Sequence, residues 1–164
     1  MLSAQLLQAV NDQIKFEIQS AYAYLAMSAY CESANLPGCA KWLRIQWEEE
    51  LEHAMKLYDM VHARGSHVTL QGIDKPASEF KGVRDVFEKV LAHEQKVTAS
   101  IHNLRSLAIK ESDFAVQIEL DWFVKEQVEE EKNASEILAL LAMAGESGPA
   151  LVMLDRQLGA RAAG

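Results

Sequence analysis

Residues 116–141 read VQIELDWFVKEQVEEEKNASEILALL, and this stretch contains no proline or glycine. Apolar side chains recur along it at alternating spacings of four and three residues, which predicts one buried face, or seam, of a long α-helix. The acid Glu130 interrupts this otherwise apolar row near its middle. Because a buried carboxylate needs a partner, we expect another group in the core to meet it. The seam comprises Val116, Leu120, Phe123, Gln127, Glu130, Ala134, Ile137 and Leu141.

Three further long helices and one short helix are predicted from the same pattern and from the positions of chain breakers. Residues 35–38 (NLPG) form a turn signal, Gly65 can end a helix, and residues 145–149 (GESGP) break the chain again. Residues 1–164 are predicted to form a single domain. The predicted helices span about 4–33, 38–64, 82–110, 113–144 and 149–158, and the segment of about 66–81 lacks a helical period.

The lengths of the connections predict the fold class. Short links between the first and second helices, and between the third and fourth, make antiparallel hairpins. The middle segment of about 16 residues can reach roughly 50 Å, enough to run the length of helices about 40–46 Å long. The sequence therefore predicts an all-α four-helix bundle in which one long crossover loop joins two hairpins, followed by a short fifth helix.

Composition excludes several classes of protein. The chain has 24 acidic and 16 basic residues and a net charge of −8, which is unsuited to nucleic-acid binding. No apolar run is long enough to span a membrane, and the first residues do not resemble a secretory signal. The two cysteines, Cys31 and Cys39, do not form a disulfide framework, so a reduced, cytoplasmic setting is expected.

Each of the other three long helices also carries one glutamate on its seam. Two of these seams have a competing register that would leave Glu17 and Glu50 facing solvent: Leu7, Asn11, Ile14, Ile18, Ala21 and Leu25 on the first helix, and Trp47, Leu51, Ala54 and Tyr58 on the second. The chosen seams are Val10, Ile14, Glu17, Ala21, Tyr24 and Ser28; Leu43, Trp47, Glu50, Ala54, Leu57 and Val61; and Val83, Phe87, Val90, Glu94, Val97, Ile101, Leu104 and Ala108.

The four glutamates also share one height in the predicted bundle. Each lies within about three residues of its helix midpoint, or roughly 4 Å along the axis. His53, one turn beyond Glu50, and Gln127, one turn before Glu130, face the same region. The seams carry no lysine or arginine, so the acids must be protonated or bind cations. Carboxylates with one imidazole favour a pair of iron or manganese ions.

This set of residues resembles the ferroxidase centre of the non-haem bacterial ferritins, over nearly the whole chain. The resemblance implies that Glu17, Glu50 and His53 hold one iron, and that Glu50, Glu94 and Glu130 hold the other, with Glu50 bridging. It further implies that Gln127 contacts the centre and that Tyr24 is a hydrogen-bonding or redox partner. A plain core tyrosine is the alternative for Tyr24. A third iron site would comprise Glu49, Glu126 and Glu129 and share Glu130, with a solvated acidic face as the alternative.

The same comparison of families predicts that the chain binds no haem. Bacterioferritins carry a second Glu-x-x-His motif where this chain has Gln127 and Glu130, and their haem-binding methionine falls where Glu52 stands. Outside this pattern, four histidines follow no ligand spacing and are predicted at the surface. They are His62, His67, His93 and His102.

The resemblance implies a ferroxidase that oxidises iron(II) with dioxygen and stores iron(III) mineral inside a homo-oligomeric cage of about 24 subunits. The apolar face of the fifth helix, Leu151, Val152, Leu154 and Leu158, would pack at a symmetry axis or against its own bundle. Two other functions stay open: a soluble di-iron oxidase of an organic substrate, and a metal-free helical interaction module. The former needs an apolar pocket beside the metals, and the latter needs solvent-facing acids.

Overall fold

The computed structural model describes residues 1–163, which contain five α-helices and no β-strand. Helices α1 and α2 form one hairpin, and α3 and α4 form the other. The predicted fold class, an all-α four-helix bundle with a long crossover and a short fifth helix, is confirmed. The helices are α1 (Ala4–Ser33), α2 (Pro37–Ala63), α3 (Val83–Lys110), α4 (Phe114–Ala144) and α5 (Pro149–Gly159).

Local sequence signals place the helix ends. The Ser3 hydroxyl caps α1 by accepting a hydrogen bond from the Leu6 amide at 3.1 Å. Asp113 caps α4 by accepting a hydrogen bond from the Val116 amide at 3.2 Å. It also forms a bidentate ion pair with Arg64 at the end of α2. The ends of the two hairpins are thereby joined.

The crossover between α2 and α3 runs along α1. Near its start, the Thr69 amide donates to Asn11 Oδ1 at 3.2 Å. Farther along, Gln19 and Asp74 exchange two hydrogen bonds, of 2.7 and 3.0 Å. These contacts lie progressively farther along α1, so the segment crosses from one end of the bundle to the other.

Burial confirms the predicted seams. All eight seam positions of α4 and all eight of α3 are buried. On α1 and α2 the register containing Glu17 and Glu50 faces the core, whereas Leu25 of the competing register is 37% exposed. The apolar core forms two clusters, one around Phe87 and the other around Phe123.

Helix α5 packs against α2 and α4 of its own chain, as the second of the two predicted alternatives has it. The Asp155 carboxylate accepts hydrogen bonds from the Gly38 and Cys39 amides, at 3.0 and 2.8 Å, at the start of α2. The crossing is so close that a Cβ on Gly38 would lie 1.7 Å from the Asp155 carbonyl oxygen. Val152, predicted on the apolar face, is 50% exposed.

Across residues 1–163, none of the helices combines the length and the hydropathy that crossing a membrane requires.

Candidate metal centre

Five ligand-type side chains are buried together in the bundle. Glu17 and Glu94 are fully buried, and Glu50, Glu130 and His53 are at most 5% exposed. Each comes from a seam position or, for His53, from the next turn of α2. Among residues 1–163 no lysine or arginine pairs with these four carboxylates. The arrangement therefore concentrates negative charge where the core would otherwise be apolar.

The α1–α2 side of this centre carries carboxylate oxygens without partners. Ligand atoms of Glu17, Glu50 and His53 all lie within 4.8 Å of one another, and Glu50 Oε2 is 3.6 Å from His53 Nδ1. Gln13 Nε2 donates to Glu17 Oε1 at 2.8 Å. Within residues 1–163, Glu17 Oε2 and both oxygens of Glu50 are the only buried side-chain polar atoms that lack a hydrogen-bond partner.

The α3–α4 side is hydrogen-bonded. The Tyr24 hydroxyl donates to Glu94 Oε1, and Gln127 Nε2 donates to Glu94 Oε2 at 3.0 Å. Gln46 Nε2 donates to Glu130 Oε2 at 2.8 Å. Donors on these oxygens orient the carboxylates, as outer hydrogen bonds orient the ligands of metal sites.

Burial and mutual repulsion raise the pKa values of Glu50, Glu94 and Glu130. Burial raises the pKa of Glu50 well above its ordinary value, and the charges of Glu17 and Glu94 add to the effect. Burial raises the pKa of Glu94 to about 7, although its hydrogen bonds from Tyr24 and Gln127 act in the opposite direction. Burial and the charge of Glu94 raise the pKa of Glu130 to about 8. A bound cation would remove this cost by stabilising the charged carboxylates.

The three acids predicted to flank the centre are placed differently from one another. Ligand atoms of Glu126, His53 and Glu130 lie within 4.8 Å of one another, which makes a second candidate ligand group. Glu49 Oε2 instead accepts a hydrogen bond from Arg161 at 2.6 Å. Glu129 is exposed. The structure therefore brings one of the three acids against the centre, pairs the second with a cation and leaves the third in solvent.

Two glutamines were missed by the sequence reasoning. Gln13 and Gln46 are 2% and 0% exposed and hydrogen-bond to acids of the centre. Each stands four residues before a seam glutamate, Glu17 and Glu50. This i, i+4 spacing puts amide and acid on one side of a helix and was a usable signal.

The surface prediction for His93 is wrong. Its ring packs edge-on to Phe16 and Tyr24, and its Nε2 lies 2.6 Å from the Ser20 hydroxyl. Burial lowers the pKa of His93 to about 4, so the ring is neutral at physiological pH. His93 thus belongs to the packing around Tyr24.

The donor set indicates the chemistry of the centre. Carboxylate oxygens with one imidazole favour hard or borderline divalent cations, and bare buried oxygens are stabilised by such a charge. A cleft lined by Glu49, Glu52, Asp59 and Glu126 reaches His53 from outside. This negatively charged cleft would attract cations toward the buried acids.

Comparisons with known proteins identify the family of the chain. The family model described as "Ferritin-like domain" matches residues 7–144. The chain is 40% identical over 161 residues to the bacterial non-heme ferritin of Staphylococcus haemolyticus, covering 98% of this chain and 97% of that protein. It is 37% identical over 161 residues to the bacterial non-heme ferritin of Staphylococcus aureus strain USA300, with the same two coverages.

Solved structures give the same result. A structure described as a novel open pore ferritin from the hyperthermophilic archaeon Archaeoglobus fulgidus superposes with a TM-score of 0.97 at 44% identity, covering 99% of this chain and 100% of that chain. A structure described as a humanized archaeal ferritin superposes with a TM-score of 0.97 at 46% identity, covering 99% and 98%. The burial of four acids at the seams of a crossover bundle and these similarities lead to one conclusion: the chain belongs to the ferritin family.

Proposed function

We propose that this protein stores iron and is a ferroxidase, oxidising iron(II) with dioxygen at the buried acid centre. The observation that carries the proposal is the set of bare oxygens on Glu17 and Glu50 beside His53. Three unpartnered carboxylate oxygens in the buried core are costly unless a cation binds them. Iron(II) is the substrate, and its oxidised product is the stored material.

The roles proposed for the individual residues are those that the resemblance to the ferritins implies. Glu17, Glu50 and His53 would hold one iron(II), and Glu50, Glu94 and Glu130 the second, with Glu50 between them. Because oxidation to iron(III) increases the metal charge, anionic oxygen ligands stabilise the product more than the substrate. Dioxygen accepts the electrons that the iron(II) ions lose.

Two neutral side chains would orient the second iron's ligands. Gln127 and the Tyr24 hydroxyl both donate to Glu94 and fix its two oxygens. A carboxylate held by two donors changes position less when the metal charge changes, so less reorganisation accompanies oxidation. Glu126, with His53 and Glu130, would offer only a weak further cation position beside the pair, because Glu49 is held by Arg161.

The assembly and location are part of the same proposal. A store for oxidised iron needs an enclosed volume, and a single four-helix bundle of 18.3 kDa does not contain one. We therefore expect residues 1–164 to act as one domain that assembles into a hollow homo-oligomer of about 24 subunits. Its reduced cysteines Cys31 and Cys39, both fully buried, suit a cytoplasmic protein.

An oxidase acting on an organic substrate is the second candidate, and the cleft does not favour it. Such an enzyme needs an apolar pocket beside the metals. The cleft that reaches His53 contains the apolar side chains of Met55 and Trp122, but charged residues make up most of its lining: Glu49, Glu52, Lys56, Asp59 and Glu126. A metal-free interaction module is disfavoured because the seam acids are buried rather than facing solvent.

Aerobic addition of iron(II) to the purified protein tests the proposal. We expect rapid oxidation and an amber product that co-elutes with protein in a particle of several hundred kDa on gel filtration, since about two dozen 18.3 kDa chains assemble. Glu50→Ala combined with His53→Ala should abolish the rapid phase. Glu48→Ala, at an exposed position on the same helix, is the matched control. Unchanged oxidation in the double variant, or precipitated iron beside a monomeric protein, would contradict the proposal.

A further inference from the structure

Arg161, just beyond the end of α5, reaches two residues near the candidate metal centre. Its Nη1 donates to Gln46 Oε1 at 2.7 Å, and its Nη2 donates to Glu49 Oε2 at 2.6 Å. Its guanidinium also lies over the Trp42 ring, with Cζ 4.7 Å from the ring centroid. A planar guanidinium group that donates to two acceptors and stacks on an aromatic ring makes a specific arrangement, and the ammonium group of lysine cannot reproduce it.

The fold fixes the position from which Arg161 reaches inward. Asp155 of α5 holds the Gly38 and Cys39 amides of α2, and Lys41 Nζ donates to the Gly159 carbonyl at 2.9 Å. Both contacts tie the last two turns of α5 to the start of α2. Arg161 therefore starts from an anchored backbone, and its side chain remains only partly exposed, at 22%.

The contact with Gln46 continues into the centre. The Gln46 side chain accepts from Arg161 through Oε1 and donates to Glu130 through Nε2. A guanidinium can only donate, so it requires the amide oxygen to face it. The amide nitrogen must then point toward Glu130. Arg161 thus selects the one orientation of a fully buried amide that is favourable for a carboxylate of the centre.

The contact with Arg161 occupies the carboxylate of Glu49, which could otherwise bind a cation beside the centre. Glu49 lines the same acidic cleft as Glu126, whose ligand atom lies within 4.8 Å of those of His53 and Glu130. With Arg161 on its oxygen, Glu49 is already neutralised by a cation that belongs to the chain. A divalent ion bound between Glu49 and Glu126 would have to displace the guanidinium or share the carboxylate with it.

We propose that Arg161 is a positioning residue of the metal centre, which orients Gln46 toward Glu130 and withholds Glu49 from cation binding. The chain then holds two cations tightly per subunit, and its own arginine takes the place of a third. This inference rests on the proposed function, because it concerns the affinity and number of the iron(II) ions that the centre binds.

Anaerobic titration calorimetry with iron(II) tests the proposal without any turnover. We expect two tight sites per subunit in the unaltered protein. In Arg161→Ala we expect a third site, made available by Glu49, and about tenfold weaker binding at the pair because Gln46 is no longer held. Arg161→Lys keeps the charge but not the fork, so it should gain no third site while still losing affinity at the pair.

Arg156→Ala is the matched control, since Arg156 is an exposed arginine on α5. Melting temperature and gel filtration establish that each variant is folded and assembled. If Arg161→Ala does not fold, Arg161→Lys still tests whether the guanidinium orients Gln46. Glu49→Gln then tests whether Glu49 is withheld from cation binding, and we expect this variant to keep two sites. Three tight sites in the unaltered protein, or identical titrations for Arg161→Ala and Arg156→Ala, would overturn the inference. Absence of iron(II) binding in every variant would instead refute the proposed function.

Discussion

The two sides of the metal centre contain the same acid but different surroundings. On the α1–α2 side, both oxygens of Glu50 and one of Glu17 lack partners within residues 1–163. On the α3–α4 side, Glu94 accepts from Tyr24 and Gln127, and Glu130 accepts from Gln46. We call Glu17 and Glu50 the bare pair, although Glu17 Oε1 accepts one hydrogen bond from Gln13, and we call Glu94 and Glu130 the hydrogen-bonded pair.

This difference indicates how each side depends on a bound cation. A bare buried carboxylate gains most from a metal, because the metal replaces the water that the acid lost on folding. A carboxylate that already accepts hydrogen bonds gains less energy but is held in a defined orientation. We therefore expect the bare pair to dominate metal affinity and the hydrogen-bonded pair to adjust it.

Glu50→Gln should have the largest effect, since it removes the charge of the barest acid while preserving its shape. We expect iron(II) affinity to fall by at least about 100-fold, and the metal-free protein to become more stable by about 1–3 kcal/mol because the folded state no longer has to keep a carboxyl group of raised pKa protonated. Anaerobic calorimetry and thermal denaturation measure the two effects. Glu48→Gln, at an exposed position, is the control. A Glu50→Gln protein with unchanged affinity would remove the distinction between the two sides.

The next largest effect is a pH dependence of the metal-free protein. The raised pKa values of Glu94, about 7, and Glu130, about 8, mean that the folded state binds protons that the unfolded chain, near 4.5, has already released. Stability therefore falls as pH rises, by about 1–2 kcal/mol between pH 7 and 8.5 from Glu94 and Glu130 together, and the raised pKa of Glu50 acts in the same sense.

Denaturation at a series of pH values measures this slope. The lowered pKa of His93 acts in the opposite sense, but only below about pH 7. Saturating iron(II) under anaerobic conditions should flatten the slope, because the metal stabilises the charged carboxylates. Equal slopes with and without metal would show that these acids do not bind it.

Gln127→Leu tests how much the hydrogen bonds of the α3–α4 side contribute to iron(II) affinity. It removes the donor to Glu94 Oε2 and leaves that of Tyr24. We expect iron(II) affinity to fall about tenfold, less than for Glu50→Gln, because an orienting contact is lost rather than a ligand. Titration of this variant beside Gln95→Leu, at an exposed position on α3, provides the test. A loss as large as that of Glu50→Gln would identify Gln127 as a ligand.

Tyr24→Phe should have the smallest effect of the four. The hydroxyl is one of two donors to Glu94, so its loss is worth about 1 kcal/mol, or a few-fold in affinity. Tyr22→Phe, with Tyr22 45% exposed on the same helix, is the matched control. If Tyr24→Phe instead slows iron oxidation much more than it weakens binding, the tyrosine takes part in electron transfer.

Much of the fold was predictable because the signals are local and periodic. The seams of α3 and α4 follow one register without competition, and every seam position on them is buried. On α1 and α2 two registers were nearly equal in apolarity, and only packing decides that Glu17 rather than Ile18 faces the core. The height of the acids followed from helix lengths, which breakers such as Gly65 and Gly145 define.

The parts that sequence reasoning did not predict involve polar contacts between distant elements. Arg161 reaches Glu49 across more than one hundred residues, and Asp155 caps a helix that begins at Pro37. Periodicity gives the face on which a residue lies, but not which distant group a long side chain meets. For α5, an apolar face required burial, yet several surfaces could supply it, and its own α2 does so.

The division of the acids between hairpins bears on the order in which the chain folds. Each hairpin is built from contacts between neighbouring helices and can form rapidly, whereas the crossover from α2 to α3 separates the two pairs along the chain. Docking the hairpins brings Glu17 and Glu50 against Glu94 and Glu130, and burying these acids together requires protons or a cation. In ion-free solution at neutral pH, we expect this cost to slow the closing of the bundle. Iron(II) would then speed its own protein's maturation, with the cargo acting as a folding cofactor.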